Sequence, residues 1–273
     1  MDFLKKTKNE INEVNLLKNG TNTCGFFYRT NGKTPPKTFE KNLKNKEKIQ
    51  EFGGKIIWEV ESKILFIGEG EIPFNFAFLL KFSNSNDLFK FTQSNFFKNI
   101  KEDFNKNKYD FEVLFLKERI LPLPLKFVVS IFKNIGKIVP FSRFKSKEKS
   151  DFENLGGINP SLNQLEALEN SNLGGPLHMI NFLSFRGKEG FSYYQKYGFV
   201  ALRGVLFLGG KLVFIGRITD DTHENWDQLA IMEYPSIESF KNLVYMPGYS
   251  KATAFRAKGL LKTLLIISMP LKK

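Results

Sequence analysis

The sequence predicts an α+β protein in which two tandem units of one β-α-β-β-α-β pattern pack sheet to sheet as an intramolecular pseudo-dimeric barrel. Three observations support this fold class. A Gly-Gly-Lys triplet occurs at residues 53–55 and again at 209–211, and each copy opens a β-rich run. A second β-rich run follows in both places, and an apolar-periodic helix begins at the same distance after it. The elements that flank these segments repeat as well.

The elements of the two units follow in matching order. In the first unit we expect four strands: one at 24–29, a second that follows the glycine pair, a third at 74–82 and a fourth at 111–117. We also expect one helix at about 36–51 and another after residue 82. In the second unit we expect four strands: one at 178–185, a second that follows the glycine pair, a third at 227–234 and a fourth at 260–268. We also expect one helix at about 189–207 and another after residue 234. Each glycine pair suits the end of a helix, because glycine adopts the left-handed conformation at little cost. This order is the ferredoxin-like arrangement, in which two helices cover one face of an antiparallel sheet.

A single unit of this kind would leave its other sheet face bare and apolar. Two units in one chain can cover these faces against each other, which predicts a monomer built as a pseudo-dimer. The alternative is that each unit pairs with another chain in a homo-oligomer. The chain then divides into a first unit at 1–118, with an N-terminal extension at 1–22, a connector and linker at 119–175, and a second unit at 176–273.

Composition limits the classes of function. The single cysteine, Cys24, excludes internal disulfides, and two histidines, His178 and His223, leave little material for a metal site. The N-terminus has no apolar core of a signal peptide, and no uncharged apolar stretch could span a membrane, so we expect a cytoplasmic protein. The net charge of +13 comes mostly from lysines in the first 150 residues. Arginine, which suits phosphate contacts better, is scarce there, and this argues against nucleic-acid binding.

The second unit resembles a known family. The matching residues are the strand 179–185 with Asn181, Tyr197-Gly198, Gly209-Gly210, Trp226-Asp227, the run Glu233-Tyr234-Pro235-Ser236, Phe240, Pro247-Gly248-Tyr249, and Arg256 before Gly259-Leu260. Together they resemble the dimeric α+β barrel superfamily and, within it, domain-of-unknown-function family 1330. The resemblance covers about 178–268 and implies a pocket between sheet and helices. Wider relatives in the superfamily include cofactor-free oxygenases, isomerases, cyclases and haem enzymes, so fold alone does not choose a reaction.

The first unit departs from this pattern. At the positions of Trp226, Asp227, Glu233 and Pro235 it carries Phe74, Asn75, Lys81 and Ser83. The acidic residues and the Pro-Ser pair are lost while the apolar pattern stays. We therefore interpret the first unit as a structural copy and expect any active pocket in the second.

Two charged residues are the candidate catalytic groups. Glu233 would act as a general base with a pKa raised by burial, or it would be a strand-end carboxylate paired with a lysine or arginine. Arg256 would hold a carboxylate or enolate oxygen of a ligand, or it would form an ion pair with Glu233 or Asp227. Asp227 and Glu233 share a strand face but lie too far apart to act as a pair.

Candidate substrate-binding residues are mostly aromatic or amide side chains. Tyr197 and Tyr249 would donate phenolic hydrogen bonds to a ligand, or they would be core residues with hydroxyls at the rim. Asn181 would face a ligand or hold a neighbouring loop. Trp226 and Asp227 complete the set, although Trp226 suits packing better than recognition. The ligand expected from these residue types is a small apolar or aromatic compound that bears oxygen.

His178 begins a predicted strand and is the remaining candidate for binding. A histidine of a pocket could ligate haem iron, but a lone histidine at a strand edge is usually neither ligand nor base. We therefore expect no cofactor, with haem as the alternative. Cys24 is interpreted as a small buried hydrophobe.

The connector suggests a second class of function. Residues 125–139 can form one helix on which Lys126, Ser130, Lys133 and Lys137 make a narrow polar stripe and apolar residues cover the rest. Such a helix would lie on an anionic membrane surface, here the inner face, or it would cap the barrel and show solvent only its lysines. The membrane reading implies a non-catalytic, surface-associated binding or scaffold protein.

Overall fold

A computed structural model of the chain describes residues 19–30, 37–120, 157–219 and 226–271, with the single residues 17, 35, 131 and 134. It shows an α+β fold whose eight strands form one closed antiparallel barrel. The predicted α+β class and the barrel are thus confirmed. The connector helix expected at 125–139 lies outside the described residues except for Ile131 and Asn134, and His223 and most of the N-terminal extension lie outside them as well.

Most elements agree with the sequence pattern, but the single helices expected at about 36–51 and after residue 82 are each two helices. In chain order they are β1 (Thr23–Arg29), α1 (Lys37–Leu43), α2 (Lys46–Glu51), β2 (Gly54–Ile67), β3 (Phe76–Phe82), α3 (Ser85–Gln93), α4 (Asn95–Lys106), β4 (Asp110–Glu118), α5 (Leu162–Glu169), β5 (Leu177–Phe185), α6 (Gly187–Phe207), β6 (Lys211–Ile218), β7 (Gln228–Tyr234), α7 (Ile237–Lys241), a 3₁₀ turn (Asn242–Tyr245), α8 (Tyr249–Gly259) and β8 (Leu260–Pro270). Among the described residues, no helix combines the length and the apolar character that a membrane span requires.

The barrel closes through two seams between its halves. The strand order is β1-β3-β2-β8-β5-β7-β6-β4, so β2 pairs with β8 and β4 pairs with β6. The first seam runs from Val60 opposite Pro270 to Ile67 opposite Leu265. The second is shorter and runs only from Leu116 opposite Ile218 to Glu118 opposite Gly216. The two sheets are therefore joined edge to edge by hydrogen bonds in addition to facing each other across the interior.

Alternation along the strands separates the interior of the barrel from its outer face. On β5, Ile180 and Phe182 belong to the interior cluster, whereas Met179 packs outward beneath the helices. The interior is filled by apolar side chains from both halves; for example, the rings of Phe27 and Phe182 lie 5.3 Å apart. Contact between the halves thus supplies the central core.

Helices cover the outer face of each half, and the two layers are packed differently. Under α1–α4 the outer face is filled by aromatic rings, with Phe26 stacked on Phe78 at 4.7 Å and Phe104 on Phe111 at 4.3 Å. In the other half, α6 and α8 meet at two glycines. A Cβ atom on Gly190 would lie 2.6 Å from the backbone oxygen of Gly259, so this close crossing requires glycine.

Candidate functional site

A cavity of about 1090 Å³ lies on the outer side of the second half, between α6 and the strands β5, β7 and β6. It extends from α5 to the end of β4. Much of its wall is apolar: Met179, Leu202, Val205, Met232, Leu243 and Leu265 line it. A cavity of this size and lining is typical of a small-molecule site.

Arg256 is the most deeply placed charge on this wall. It is only 7% exposed. Its Nη1 donates to Oδ1 of Asn159 at 2.8 Å, and its guanidinium carbon lies 5.8 Å from the centre of the Tyr197 ring. Tyr197 and Tyr249 share a hydrogen bond between their hydroxyls at 3.1 Å. Helices α6 and α8 thus bring one buried cation and two phenols to the same part of the cavity.

Two further tyrosines complete this cluster. Tyr194 lies one helical turn before Tyr197, and their ring centres are 5.4 Å apart; Tyr234 at the end of β7 also lines the cavity. Burial raises the pKa of Tyr194, Tyr234 and Tyr249 above the ordinary value of a phenol. A phenol is already neutral at physiological pH at its ordinary pKa, and burial disfavours its ionisation further, so these hydroxyls are protonated.

Asn181 also faces the cavity, from the middle of β5. Its Nδ2 donates to the backbone oxygens of Met179 at 3.2 Å and Ala230 at 3.4 Å. These bonds fix the orientation of the amide. Four of the predicted residues, Asn181, Tyr197, Tyr249 and Arg256, are therefore brought together at one cavity.

His178 and Glu233 are placed elsewhere and are not among the residues that line the cavity. They face each other across β5 and β7, with His178 Nε2 3.0 Å from Oε2 of Glu233. Trp58 Nε1 donates to Nδ1 of His178 at 2.5 Å, and Lys211 Nζ lies 2.9 Å from Oε1 of Glu233. This is the lysine-paired arrangement, and a catalytic role for Glu233 stays a prediction.

Trp226 and Asp227 also lie outside the cavity wall. Trp226 belongs to the interior cluster, with its ring 5.9 Å from that of Phe182. The Asp227 carboxylate accepts a hydrogen bond from the amide of Phe185 at 2.7 Å and so connects the start of β7 to the end of β5. Contact of either residue with a ligand stays a prediction.

The described residues offer little to a metal or a haem. Within them, no group of three His, Cys, Asp or Glu side chains could hold a metal ion. His178 has both ring nitrogens engaged by Trp58 and Glu233, and burial as the main cause lowers its pKa. As placed, this imidazole does not fit the role of an axial haem ligand in the cavity.

Several cavity residues were missed by the sequence reasoning. Tyr194 could have been found, because it lies three residues before Tyr197 on the same helix face. Arg119, Arg217 and Gln228 also line the cavity. Arg217 and Gln228 lie on β6 and β7, and Arg119 directly follows β4. These residues come together only through the closure of the barrel, which no local pattern indicates.

Comparison with known proteins leaves the family open. No protein-family model and no curated protein matches the chain, so the resemblance to family 1330 stays a proposal. Among solved structures, a protein of unknown function from Rhodopseudomonas palustris is 28% identical over 42% of this chain and 98% of its own, with a TM-score of 0.38. A candidate monooxygenase from Fusobacterium nucleatum is 8% identical over 93% and 92%, with a TM-score of 0.49. A chlorite dismutase variant from Candidatus Nitrospira defluvii is 10% identical over 92% and 91%, with a TM-score of 0.48. Because these TM-scores are low, the matches assign no function.

Proposed function

We propose that this protein binds a small molecule with an apolar body and an oxygen-bearing end in the cavity beneath α6. The observation that carries the proposal is the buried Arg256 beside the hydrogen-bonded pair Tyr197 and Tyr249, on the wall of a large, mostly apolar cavity. Apolar walls hold the body of a ligand, and a few convergent polar groups fix its orientation.

The chemistry of the polar cluster indicates which ligand atom it would hold. Arg256 carries a permanent positive charge, and the neighbouring phenols are neutral donors. Both kinds of group bind an oxygen that carries full or partial negative charge, such as a carbonyl, enolate or carboxylate oxygen. The same arrangement would stabilise negative charge that develops on such an oxygen during a reaction.

Binding is supported better than turnover. Glu233 lies on the other side of the sheet, so it would not exchange a proton with a ligand in this cavity. Glu169 and Glu238 do line the cavity, but both pair with Lys241, at 3.1 and 3.4 Å. An enzyme of the oxygenase, isomerase or cyclase type would therefore use Arg256 and the phenols for electrostatic stabilisation and would take its proton acceptor from the ligand or water.

We further propose that residues 23–118 and 177–270 are copies of one ferredoxin-like unit, of which the first is structural. The strand order β4-β1-β3-β2 in one half corresponds to β8-β5-β7-β6 in the other, which supports this origin. In the first half, aromatic rings fill the place where the second half has its cavity. This supports a structural role for the first copy and a binding role for the second. The resemblance of residues 178–268 to family 1330 agrees with a kept site in the second copy.

A matched pair of neutral probes tests the proposal. Wild-type protein should bind 2-acetylnaphthalene about tenfold more tightly than 2-ethylnaphthalene, because only the former has a carbonyl oxygen for Arg256 and the phenols. Arg256→Met should remove this preference. Binding is measured by fluorescence titration, and circular dichroism confirms that each variant is folded.

Position 198 supplies the control. Gly198 lines the cavity, and a Cβ atom there would meet no heavy atom within 4 Å. Gly198→Trp should place an indole ring in the cavity and weaken binding of both probes, whereas Gly198→Ala should bind as the wild type does. If Gly198→Trp bound each probe as tightly as wild type does, this cavity would not be the binding site.

A further inference from the structure

A row of polar side chains crosses three neighbouring strands at the mouth of the cavity. Lys117 on β4 lies opposite Arg217 on β6, and Arg217 lies opposite Gln228 on β7. All three line the cavity, so they share the outer face of the sheet. Directly opposite residues on neighbouring strands have Cβ atoms about 5 Å apart, so these side chains are within reach of one common group.

The charges in this row repel one another. Like charges directly opposite each other destabilise a sheet, and Arg119 adds a third cation where the chain leaves β4. Burial, and then the charge of Arg217, lower the pKa of the Arg119 guanidinium. Glu118 also lines the cavity, but its carboxylate is bonded to Lys81. A bound anion would relieve this repulsion.

Gln228 supplies an independent observation. The residue is 2% exposed, and its Oε1 is a buried acceptor that has no hydrogen-bond partner in the structure. Buried polar atoms are nearly always hydrogen-bonded, because an unsatisfied one loses its interaction with water and gains nothing in return. An oxygen acceptor on a cavity wall requires a donor, and the cations Lys117, Arg119 and Arg217 line the same cavity.

We propose that the mouth of the cavity recognises an anionic group with a hydrogen-bond donor next to it, as in a hydroxy acid whose apolar body carries a second oxygen to Arg256 and the phenols. Lys117, Arg119 and Arg217 hold the anionic oxygens, and Oε1 of Gln228 accepts from the hydroxyl. This inference rests on the proposed function, because it names the substrate class of the same cavity. It assigns to Gln228 the discrimination between a ligand that has the donor and one that lacks it.

Three acyl probes test the inference by isothermal titration calorimetry. Wild-type protein should bind 3-hydroxydodecanoate about tenfold more tightly than 3-methoxydodecanoate, which has the same charge but cannot donate. Gln228→Met should make the two affinities equal while leaving dodecanoate binding unchanged. Gln195→Met, which alters another glutamine of the cavity wall, should keep the tenfold preference.

The charge contribution is tested on the same probes. Arg217→Gln should weaken all three at least fivefold and reduce the salt dependence of binding. Arg203→Gln is the matched control, since this arginine lies on α6, donates to the backbone oxygen of Pro247 and is not part of the cavity wall.

The outcomes separate the two proposals. If wild type binds all three probes with equal affinity, the role of Gln228 is wrong and the cavity function stands. If Arg217→Gln leaves every affinity unchanged, the basic mouth is not the anion site. If neither the three acyl probes nor 2-acetylnaphthalene binds, both proposals fail together.

Discussion

Three glycines of helix α6 predict a graded response to one substitution. Replacing glycine with alanine in a helix gains about 0.5–1 kcal/mol when the added methyl group meets nothing. Gly198 has that free space, because no heavy atom lies within 4 Å of a Cβ built there. We therefore expect Gly198→Ala to raise the free energy of unfolding by about 0.5–1 kcal/mol.

The same methyl group meets obstacles of two kinds at the other positions. On Gly204 it would lie 2.7 Å from Cδ1 of Leu243 and 3.3 Å from Cγ of Met246, which are side-chain atoms that can shift. The gain and the cost should roughly cancel, to within about 1 kcal/mol. On Gly190 it would lie 2.6 Å from the backbone oxygen of Gly259, which cannot move unless α6 and α8 separate. We expect Gly190→Ala to cost about 1–3 kcal/mol.

Equilibrium unfolding in urea, followed by far-ultraviolet circular dichroism, measures all three variants. Equal m values would show that the differences lie in stability and not in the compactness of the unfolded state. Thermal melts should follow the same order, with a shift of about 2–4 °C for each kcal/mol. If Gly190→Ala were as stable as Gly198→Ala, the close crossing of α6 and α8 would be wrong, and with it the placement of Arg256.

Three further predictions concern residues outside the cavity. The pKa of His178 is lowered because burial favours the neutral ring in the folded protein. Its contribution to the free energy of unfolding should therefore be full above the ordinary histidine pKa and should fall as the pH drops through the lowered pKa. In urea unfolding from about pH 8 to pH 5, the free energy of unfolding should change less with pH for His178→Gln than for wild type. Glu233→Gln should leave the affinity for 2-acetylnaphthalene unchanged in fluorescence titration. A loss of affinity of about tenfold or more would show that this carboxylate takes part in binding. Burial raises the pKa of the Cys24 thiol, so a disulfide reagent should label it slowly in native protein and at once in urea, whereas fast native labelling would contradict its burial.

Much of the secondary structure could be predicted because it depends on local patterns. The strand expected at 178–185 is Leu177–Phe185, and the helix expected at 189–207 is Gly187–Phe207. The helix expected at 36–51 is instead two helices. Asn45 begins the second one, where its side chain accepts a hydrogen bond from the amide of Lys48 at 3.0 Å. An asparagine at this position caps the N-terminus of a new helix and so interrupts the helix before it. The spacing of apolar residues carries no signal for such a cap.

The candidate site was predictable in part. Asn181, Tyr197, Tyr249 and Arg256 line the cavity, and their contact with a ligand stays a prediction. His178 is three residues before Asn181 on the same strand, so period-two alternation already placed it on the opposite face. Its partner Glu233 follows it there through the pairing of β5 with β7.

Long-range register explains what the sequence could not indicate. The bond from Trp58 to His178 joins the two halves of the chain, and the row from Lys117 to Arg217 exists only because β4 closes the barrel on β6. Neither pairing has a local signal, since any two apolar strands could meet at such an edge. Cavity volume is likewise a property of packing between elements and not of any one segment.

If the mouth of the cavity binds an anion as proposed, the short seam between β4 and β6 would link ligand occupancy to the integrity of the barrel. The ladder of this seam has three residue pairs, extended at its two ends by backbone hydrogen bonds from Thr219 to Phe115 and from Arg119 to Ile215, and one of the pairs sets Lys117 directly against Arg217. An anion shared by these two cations would hold the strands together, because it touches both at once and replaces repulsion with attraction. The protein without ligand would then open transiently at this edge, and the loaded protein would stay closed. Amide exchange at Leu116 and Ile218 would therefore report ligand binding from the backbone.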